Sequence, residues 1–591
     1  MKSLLKYVAM AMVGLVFTAC VQDLNTKPLD PNSSTSFNQD RMFTKCYSCM
    51  AMIGQSVPGD DSDVDWPGLD AGTSGFYRTI WYCNELTSDE AWWIWDDRES
   101  TQMNQTNWEG TNTMIGAIYS RLMLDIKYCN HYLHYATKES DEDKNRLAEV
   151  RFIRALHYFY FLDMYLYAPF VIEETTGYPH FLPRHKLYEW LVEELKDIIV
   201  QLPANRINKY RVGKAAAQLL LARIYLNADV YNKYNPEWTA NQTQTWQAAY
   251  DAATATIEDN KSIHGLVTEK IVTDSGFVYS AYQQLFMGDN HRDGVIKESL
   301  FQIYQDGLYA QSYASSMMLI GANRYKGMNA WGIESEWHSM RTSPTLVDKF
   351  LSPRGIARGT AEGMIYDEYK MPGVLHDDRA ILCSDSLNTG YKFSLKGNQD
   401  LGDTKYMFDC WAGLKFTGVY SSASLPKLSP RQSTSWPDTD IPLLRLAEAY
   451  MIQAEALFRM GKTGDALDIV NNTIRARANA DPLPSLDEEK LLDEWSREFW
   501  YEGRRRIDLI RFGRFFGPEA DQYHYHWEGR MGKNDMAPAV NSPFFVSGTP
   551  EQMNWFPIPS SDKRSNPNFK TDVEGDANNT FAAQGGDGYA Y

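Results

Sequence analysis

Tryptophan is the residue type in this 591-residue chain that most invites a chemical reading, because five of its 17 indoles lie between Trp81 and Trp108. Trp92, Trp93 and Trp95 fall within AWWIWDDRES, a polar stretch without a clear helical or strand period. Large apolar side chains in such a setting need a reason. Sugar rings supply one, since their axial C–H faces are apolar while their rims carry hydroxyls that pair with Asp, Asn and Arg. A Trp face stacked on a sugar contributes roughly 1 to 2 kcal/mol with little rotamer entropy to lose. Two or three such contacts, less the cost of association, give a dissociation constant on the order of 10 μM to 1 mM. That is weak capture, suited to a protein that hands its ligand on. Richness in Trp favours sugar over peptide as the ligand, with capture of peptides as the alternative.

Other clusters that resemble chemistry have simpler readings. EGRRRIDLIR, with Glu498 just ahead of it, brings Glu498, Glu502, Arg504, Arg505, Arg506 and Asp508 together, and alternating charges on a helix point to structural ion pairs. Gly461-Lys462-Thr463 resembles the end of a phosphate loop, yet Ala456 stands where the first Gly must be and a helix rather than a strand precedes it. Asp61, Asp63 and Asp65 open like a calcium loop, but Trp66 replaces the turn Gly and Gly72 the closing Glu. His524 and His526 lack a third ligand nearby. Cys46 and Cys49, spaced i, i+3, have no second pair at zinc spacing and read as small buried side chains or part of one incidental disulfide. No metal and no cofactor is expected. A glycoside hydrolase would share an aromatic cleft but needs two carboxylates about 5 to 9 Å apart across it, and no recognisable motif supplies them.

These groups must be positioned by a largely helical scaffold. Ser140-Asp141-Glu142-Asp143 caps a helix that should run through RLAEVRFIRALHYFYFLDMYLY to Pro169. Ala-rich amphipathic helices follow at Arg211 to Asn227 and Trp246 to Ile257. Thr439 to Gly461 reads as one helix buried on most sides, ended by Gly461, with a second helix returning through Ala466 to Ile474. Ser485-Leu486-Asp487-Glu488 predicts another cap before Leu491, Leu492, Trp495 and Phe499. Helices joined by short Gly turns, with Ala at close approaches, predict tetratricopeptide-like hairpins. The region from about 260 to 438 is richer in Gly, aromatics and short β-like pieces such as LFQIY, so loops and inserts belong there.

The N-terminus sets the compartment. Lys2 and Lys6 precede an apolar run from Tyr7 to Phe17, then Thr18-Ala19 and Cys20. The run is about half of the roughly 20 residues needed to span a bilayer, which predicts a signal peptide over 1–19 rather than a membrane anchor. Cys20 directly after a small-residue box resembles the lipobox of bacterial lipoproteins, whose cysteine is acylated, and two or more acyl chains would hold a soluble body on a membrane. Residues 20–36, rich in Pro, Asn and Ser, read as a flexible tether. With 58 Lys and Arg against 76 Asp and Glu, a net charge of −18 argues against nucleic acid or anionic lipid as the main partner.

Taken in order, several strings make the chain resemble the SusD/RagB family of surface lipoproteins. They are the lipobox, TSDEAW at Thr87 to Trp92, AEVRFIRALHYFYFLDMY, GKAAAQLLLARIYL, ESLFQIYQDG, TLVDKF, DDR at Asp377 to Arg379, TDIPLLRLAEAYMIQAEAL, REFWYEGRRRIDLIRFG and FPIP. The resemblance implies a mostly α fold, a right-handed superhelix of tetratricopeptide-like helix pairs with a loop-rich ligand-binding region. It implies a division into an N-terminal helical region, 37–290, and a C-terminal region, 291–591. It further implies a non-catalytic, lipid-anchored outer-membrane protein, facing the exterior, that captures glycan for a SusC-like TonB-dependent transporter. Carried onto this chain, the family's aromatic arc falls on Trp92, Trp93 and Trp95, with Arg98 as a hydrogen-bond donor, and more loosely on Tyr325 and Trp331.

Overall fold

The computed structural model describes residues 36–54, 61–64, 66–93, 95, 97–105, 108–203, 208–238, 242–274, 276–324, 332–337, 339–355, 375–383, 412–422, 435–515 and 554–576. Cys20, Tyr325 and Trp331 lie outside them, as do Cys410, His524 and His526.

Helix Thr113–Tyr135 packs on Asp141–Met164, which packs on Arg184–Gln201, and that in turn on Lys214–Leu226. Gln242–Glu258 then lies against both Lys214–Leu226 and Leu446–Arg459, so the N-terminal helices and the C-terminal ones form one continuous stack. Leu446–Arg459 next meets the returning helix Thr463–Ile469. A single apolar cluster extends from Phe43 to Val573 and crosses the boundary at 290/291. The sheets among the described residues are two-stranded antiparallel ribbons. No helix among them is long and apolar enough to cross a membrane.

Local chemistry explains where several elements begin and end. Ser140 Oγ accepts from the Asp143 N–H at 3.0 Å while the Asp143 carboxylate accepts from the Ser140 N–H at 3.0 Å, a reciprocal cap. That helix stops at Met164, not at Pro169, because Tyr167–Phe170 pairs as a strand with His180–Pro183. The segment expected to be helical from Thr439 is extended first. Ile441–Arg445 pairs with Ser299–Ile303, Pro442 has no N–H to give a helix, and helix Leu446–Arg459 starts only afterwards. The cap before Trp495 is Asp487, which accepts from the Lys490 N–H at 2.9 Å, rather than Ser485. Asp63 pairs with Arg121 at 2.7 Å and Lys45 at 3.1 Å, so cations of the protein itself occupy that carboxylate. Cys46 and Cys49 are buried free thiols.

A buried lattice of guanidinium and carboxylate groups joins these elements. Glu494 and Glu498 lie on helix Glu488–Phe499. Glu498 takes Arg445 at 2.6 Å and Arg379 at 3.3 Å, with Arg477 closer still, and Glu494 takes Arg379 and Arg475 at 2.7 Å each. Arg223, on helix Lys214–Leu226, grips Glu448 through two 2.6 Å bonds, and Arg504 reaches the same carboxylate at 2.9 Å. Glu455 accepts from Arg511 and from the Trp495 indole N–H, each at 2.7 Å. EGRRRIDLIR is therefore a structural element. Burial alone would raise the Glu498 carboxyl, but Arg477, Arg445 and Arg379 outweigh it and hold the group at about 2.

The sign of the pH effect follows. A carboxylate whose pKa is depressed on folding adds stability above its unfolded pKa and loses it as the pH falls through the folded value. Glu498→Gln should cost about 3 kcal/mol near neutrality, because it removes a carboxylate that three buried guanidinium groups share, although each keeps another carboxylate partner. The gap between variant and wild type should close between about pH 5 and pH 2, where the wild-type carboxyl itself takes up a proton. Thermal melts across that range check this, and a gap independent of pH would contradict it.

Candidate functional site

The segment leading to the tryptophans is fastened before it reaches them. Asp89 is buried and accepts from Arg505 at 2.7 Å and from Lys349 at 2.9 Å. Burial would raise its carboxyl, yet those two cations outweigh it and hold the group far below the usual range. Glu90 accepts from Ser496 Oγ at 2.5 Å, and Glu85 from the backbone N–H of Arg504 at 2.9 Å. Strand Ala91–Trp93 follows directly and pairs antiparallel with Met340–Thr342. Asn104, on helix Arg98–Gln105, closes the strand's end by donating to the Trp93 carbonyl at 2.6 Å and accepting from its N–H at 3.2 Å.

Beyond this strand lies an open cleft of about 370 Å³, lined among others by Asp70, Arg78, Tyr82, Trp93, Trp95 and Trp337. Trp93 is only 1 % exposed and forms its floor, with edge-to-face contacts to Tyr82 at 5.1 Å and Trp95 at 5.6 Å. Trp95 is 42 % exposed, so its indole offers a solvent-facing surface. Arg78 lies within 6 Å of the Tyr82, Trp93 and Trp337 rings, at 5.3, 5.7 and 5.6 Å, and donates from Nε to the Tyr82 hydroxyl at 2.9 Å. Burial pushes the Tyr82 phenol well above its usual range, which keeps it protonated and able to donate. Tyr313 joins the wall beside Trp337, 6.0 Å between ring centres. A Cβ on Gly75 would lie 1.9 Å from that of Ala314, and one on Gly72 2.7 Å from that of Tyr313. The two chain segments that make this wall meet only because glycine stands there.

The expected residues fare differently. Trp93 and Trp95 line the cleft. Trp92 does not, since successive strand residues point to opposite faces and its side chain is 1 % exposed on the other one. Arg98 is not part of the lining either; its side chain is 63 % exposed and lies 3.8 Å from Glu109. Its neighbours Asp97, Glu99 and Ser100 face the cleft instead. Sequence reasoning missed Asp70, Arg78, Tyr82, Tyr313 and Trp337. Trp337 stands six residues after Trp331 in the same NAWGIESEW stretch, so composition pointed to the segment without choosing the indole. With three carboxylates, one guanidinium, a protonated phenol and indole faces, the cleft suits a neutral ligand with apolar faces and a hydroxyl rim.

Comparison with known proteins bears on the same chain. A family model described as the SusD family matches residues 412–573. The chain is 33% identical, over 594 aligned residues, to the starch-binding protein SusD of Bacteroides thetaiotaomicron, covering 96% of this chain and 98% of that one. Among solved structures, a SusD-like carbohydrate binding protein from Bacteroides fragilis superposes with a TM-score of 0.60 at 18% identity, covering 90% of this chain and 98% of that one. Another, determined with a xylogluco-oligosaccharide, gives 0.59 at 16% identity and covers 84% and 97%. These structures share the mostly helical architecture expected from the sequence. The match to the starch-binding protein along nearly the full length of both chains places this protein in the SusD family.

Proposed function

We propose that this protein captures glycans without cleaving them, using the cleft floored by Trp93 and walled by Trp95, Tyr313 and Trp337. The observation that carries this reading is Trp95, an indole 42 % exposed yet braced edge-on by the buried Trp93. A braced, solvent-facing aromatic surface has already lost its rotamer freedom and stacks on a sugar ring at little entropic cost. Arg78 and the carboxylates of Asp70, Asp97 and Glu99 then pair with the ring hydroxyls. Support comes from relatives named for binding starch and carbohydrate rather than for acting on them. The body hangs from a lipid on Cys20 at the outer membrane, and a SusC-like TonB-dependent transporter receives the captured glycan. The acidic, tethered body and the family resemblance support that placement.

Affinity gels and calorimetry with soluble starch and xyloglucan test the reading. Retention without any increase in reducing ends is the expected result; release of reducing ends would make the protein a hydrolase. Trp95→Ala should weaken binding about tenfold or more with the melting temperature unchanged, because only a half-exposed platform is lost. Trp93→Ala should instead destabilise the fold by about 3 to 5 kcal/mol, since it opens a cavity under the cleft. If Trp95→Ala binds as the wild type does, the cleft is not the glycan site.

Attachment is tested separately. Cys20→Ala should move the protein out of the membrane fraction or leave it unprocessed. Unchanged retention of the variant in washed membranes would place the attachment elsewhere.

A further inference from the structure

Away from the cleft, a cysteine, an aspartate and a histidine from three different helices converge in the core. Cys49 lies on helix Gln39–Ala51, Asp125 on Thr113–Tyr135 and His157 on Asp141–Met164, and all three are buried. The Cys49 sulfur, a carboxylate oxygen of Asp125 and an imidazole nitrogen of His157 lie within 4.8 Å of one another.

The hydrogen bonds of the histidine call for a cation at this point. His157 Nδ1 is 2.7 Å from the Ile153 carbonyl oxygen, which can only accept, so Nδ1 carries a proton. A neutral ring then turns the lone pair of Nε2 toward Asp125 Oδ2, also an acceptor, at 3.2 Å. Two acceptors at that distance are joined either by a second ring proton or by a metal ion. A ring proton satisfies Oδ2 alone. The other oxygen, Asp125 Oδ1, is buried and accepts no hydrogen bond, because Arg121 Nη1 comes only to 3.6 Å and stands closer, at 2.7 Å, to Asp63.

The donor set fits zinc, which takes sulfur, nitrogen and oxygen together. A histidine that holds a metal commonly donates its other ring N–H to a backbone carbonyl, as His157 does to Ile153. With bonds of about 2.0 to 2.3 Å, two ligands of a tetrahedral zinc ion stand about 3.3 to 3.6 Å apart. His157 and Asp125 are already close to that spacing at 3.2 Å. The thiol, which donates to the Cys46 carbonyl at 3.2 Å, needs to shift by little more than about 1 Å. Thiolate and carboxylate together balance the charge of the ion. Burial pushes the Cys49 thiol well above its usual range, so zinc displaces that proton to solvent as the metal–sulfur bond forms.

We infer that Cys49, Asp125 and His157 form a zinc site that ties helix Gln39–Ala51 to the two helices packed against it. The ligands are sealed from solvent, so the ion enters as these helices close during folding.

The test uses tag-free protein expressed in zinc-supplemented or zinc-depleted medium, dialysed against a weak chelator, with zinc counted by elemental mass spectrometry. Wild type should retain about one zinc per chain and melt several degrees higher with it than without. Cys49→Ala should retain less than about a tenth of that amount, whereas Cys129→Ala, which removes a buried thiol outside the trio, should retain all of it. Expression with cobalt(II) instead should give a thiolate-to-metal charge-transfer band in wild type and Cys129→Ala but not in Cys49→Ala. A wild type that keeps no zinc and melts at one temperature from either medium overturns the inference and leaves a protonated His157 paired with Asp125. Equal zinc in wild type and Cys49→Ala overturns it as well. If Cys49→Ala does not fold, the wild type decides alone, and the absence of its cobalt band is the contrary result.

Discussion

The grip of Arg505 and Lys349 on the carboxylate of Asp89 sets the geometry of everything that follows it in the chain. Asp89 is two residues from the strand that ends in Trp93, and Arg505 begins a helix more than four hundred residues later. A contact of such long range closes a very large loop, at an entropic cost that grows only slowly with loop length. What makes it hold is the low dielectric of the site. All three charged groups are almost fully buried, and each finds the opposite charge within hydrogen-bonding distance. Removing Asp89 would take the shared carboxylate from two buried cations, which costs more than the pair itself contributes.

The same logic extends outward from Asp89. Ser496, the partner of Glu90, shares its helix with Glu494 and Glu498, and those carboxylates collect guanidinium groups from the strand at 441–445, the helical turn at 475–477 that ends the returning helix and the segment at 377–379. The helical stack is thus cross-linked by directional bonds at the points where apolar packing alone would leave the relative sliding of helices weakly specified. Arg78 does on a smaller scale in the cleft what the lattice does in the core. One guanidinium, surrounded by Tyr82, Trp93 and Trp337, fixes the orientation of aromatic faces contributed by distant segments. Rigidity at the cleft is therefore inherited from the core through the 85–93 segment.

Much of this was legible in the residues. The Ser140 cap and the Ala-rich helices have signals that depend on near neighbours, and the structure places them close to where those signals lie, whereas Glu502 to Arg504 form a turn through Gly503 before helix Arg505–Arg511 begins. The errors share a cause. Thr439 to Arg445 carries a helical apolar pattern, but the partner strand at 299–303 lies far away in sequence and overrides it. Trp92 and Trp93 look alike in composition, and only the pairing of their strand with 340–342 decides which one faces the cleft. Arg78 and Asp70 gave no sign at all, because a guanidinium becomes part of a cleft lining only once Trp337 and Tyr313 are brought beside it. Family resemblance pointed to the segment that carries Trp93 and Trp95, and tertiary contacts decide which of its side chains line the cleft.

A rigid core that presents a preformed aromatic cleft should stay unchanged when ligand binds in that cleft. Hydrogen–deuterium exchange with and without a saturating oligosaccharide measures this most directly. Slowed exchange is expected only over about residues 69–100, 313–322 and 332–337, with the helices at 446–459, 488–499 and 505–511 unchanged. Protection centred on those helices, or on the 475–497 surface, with the cleft segments unaffected, would contradict it.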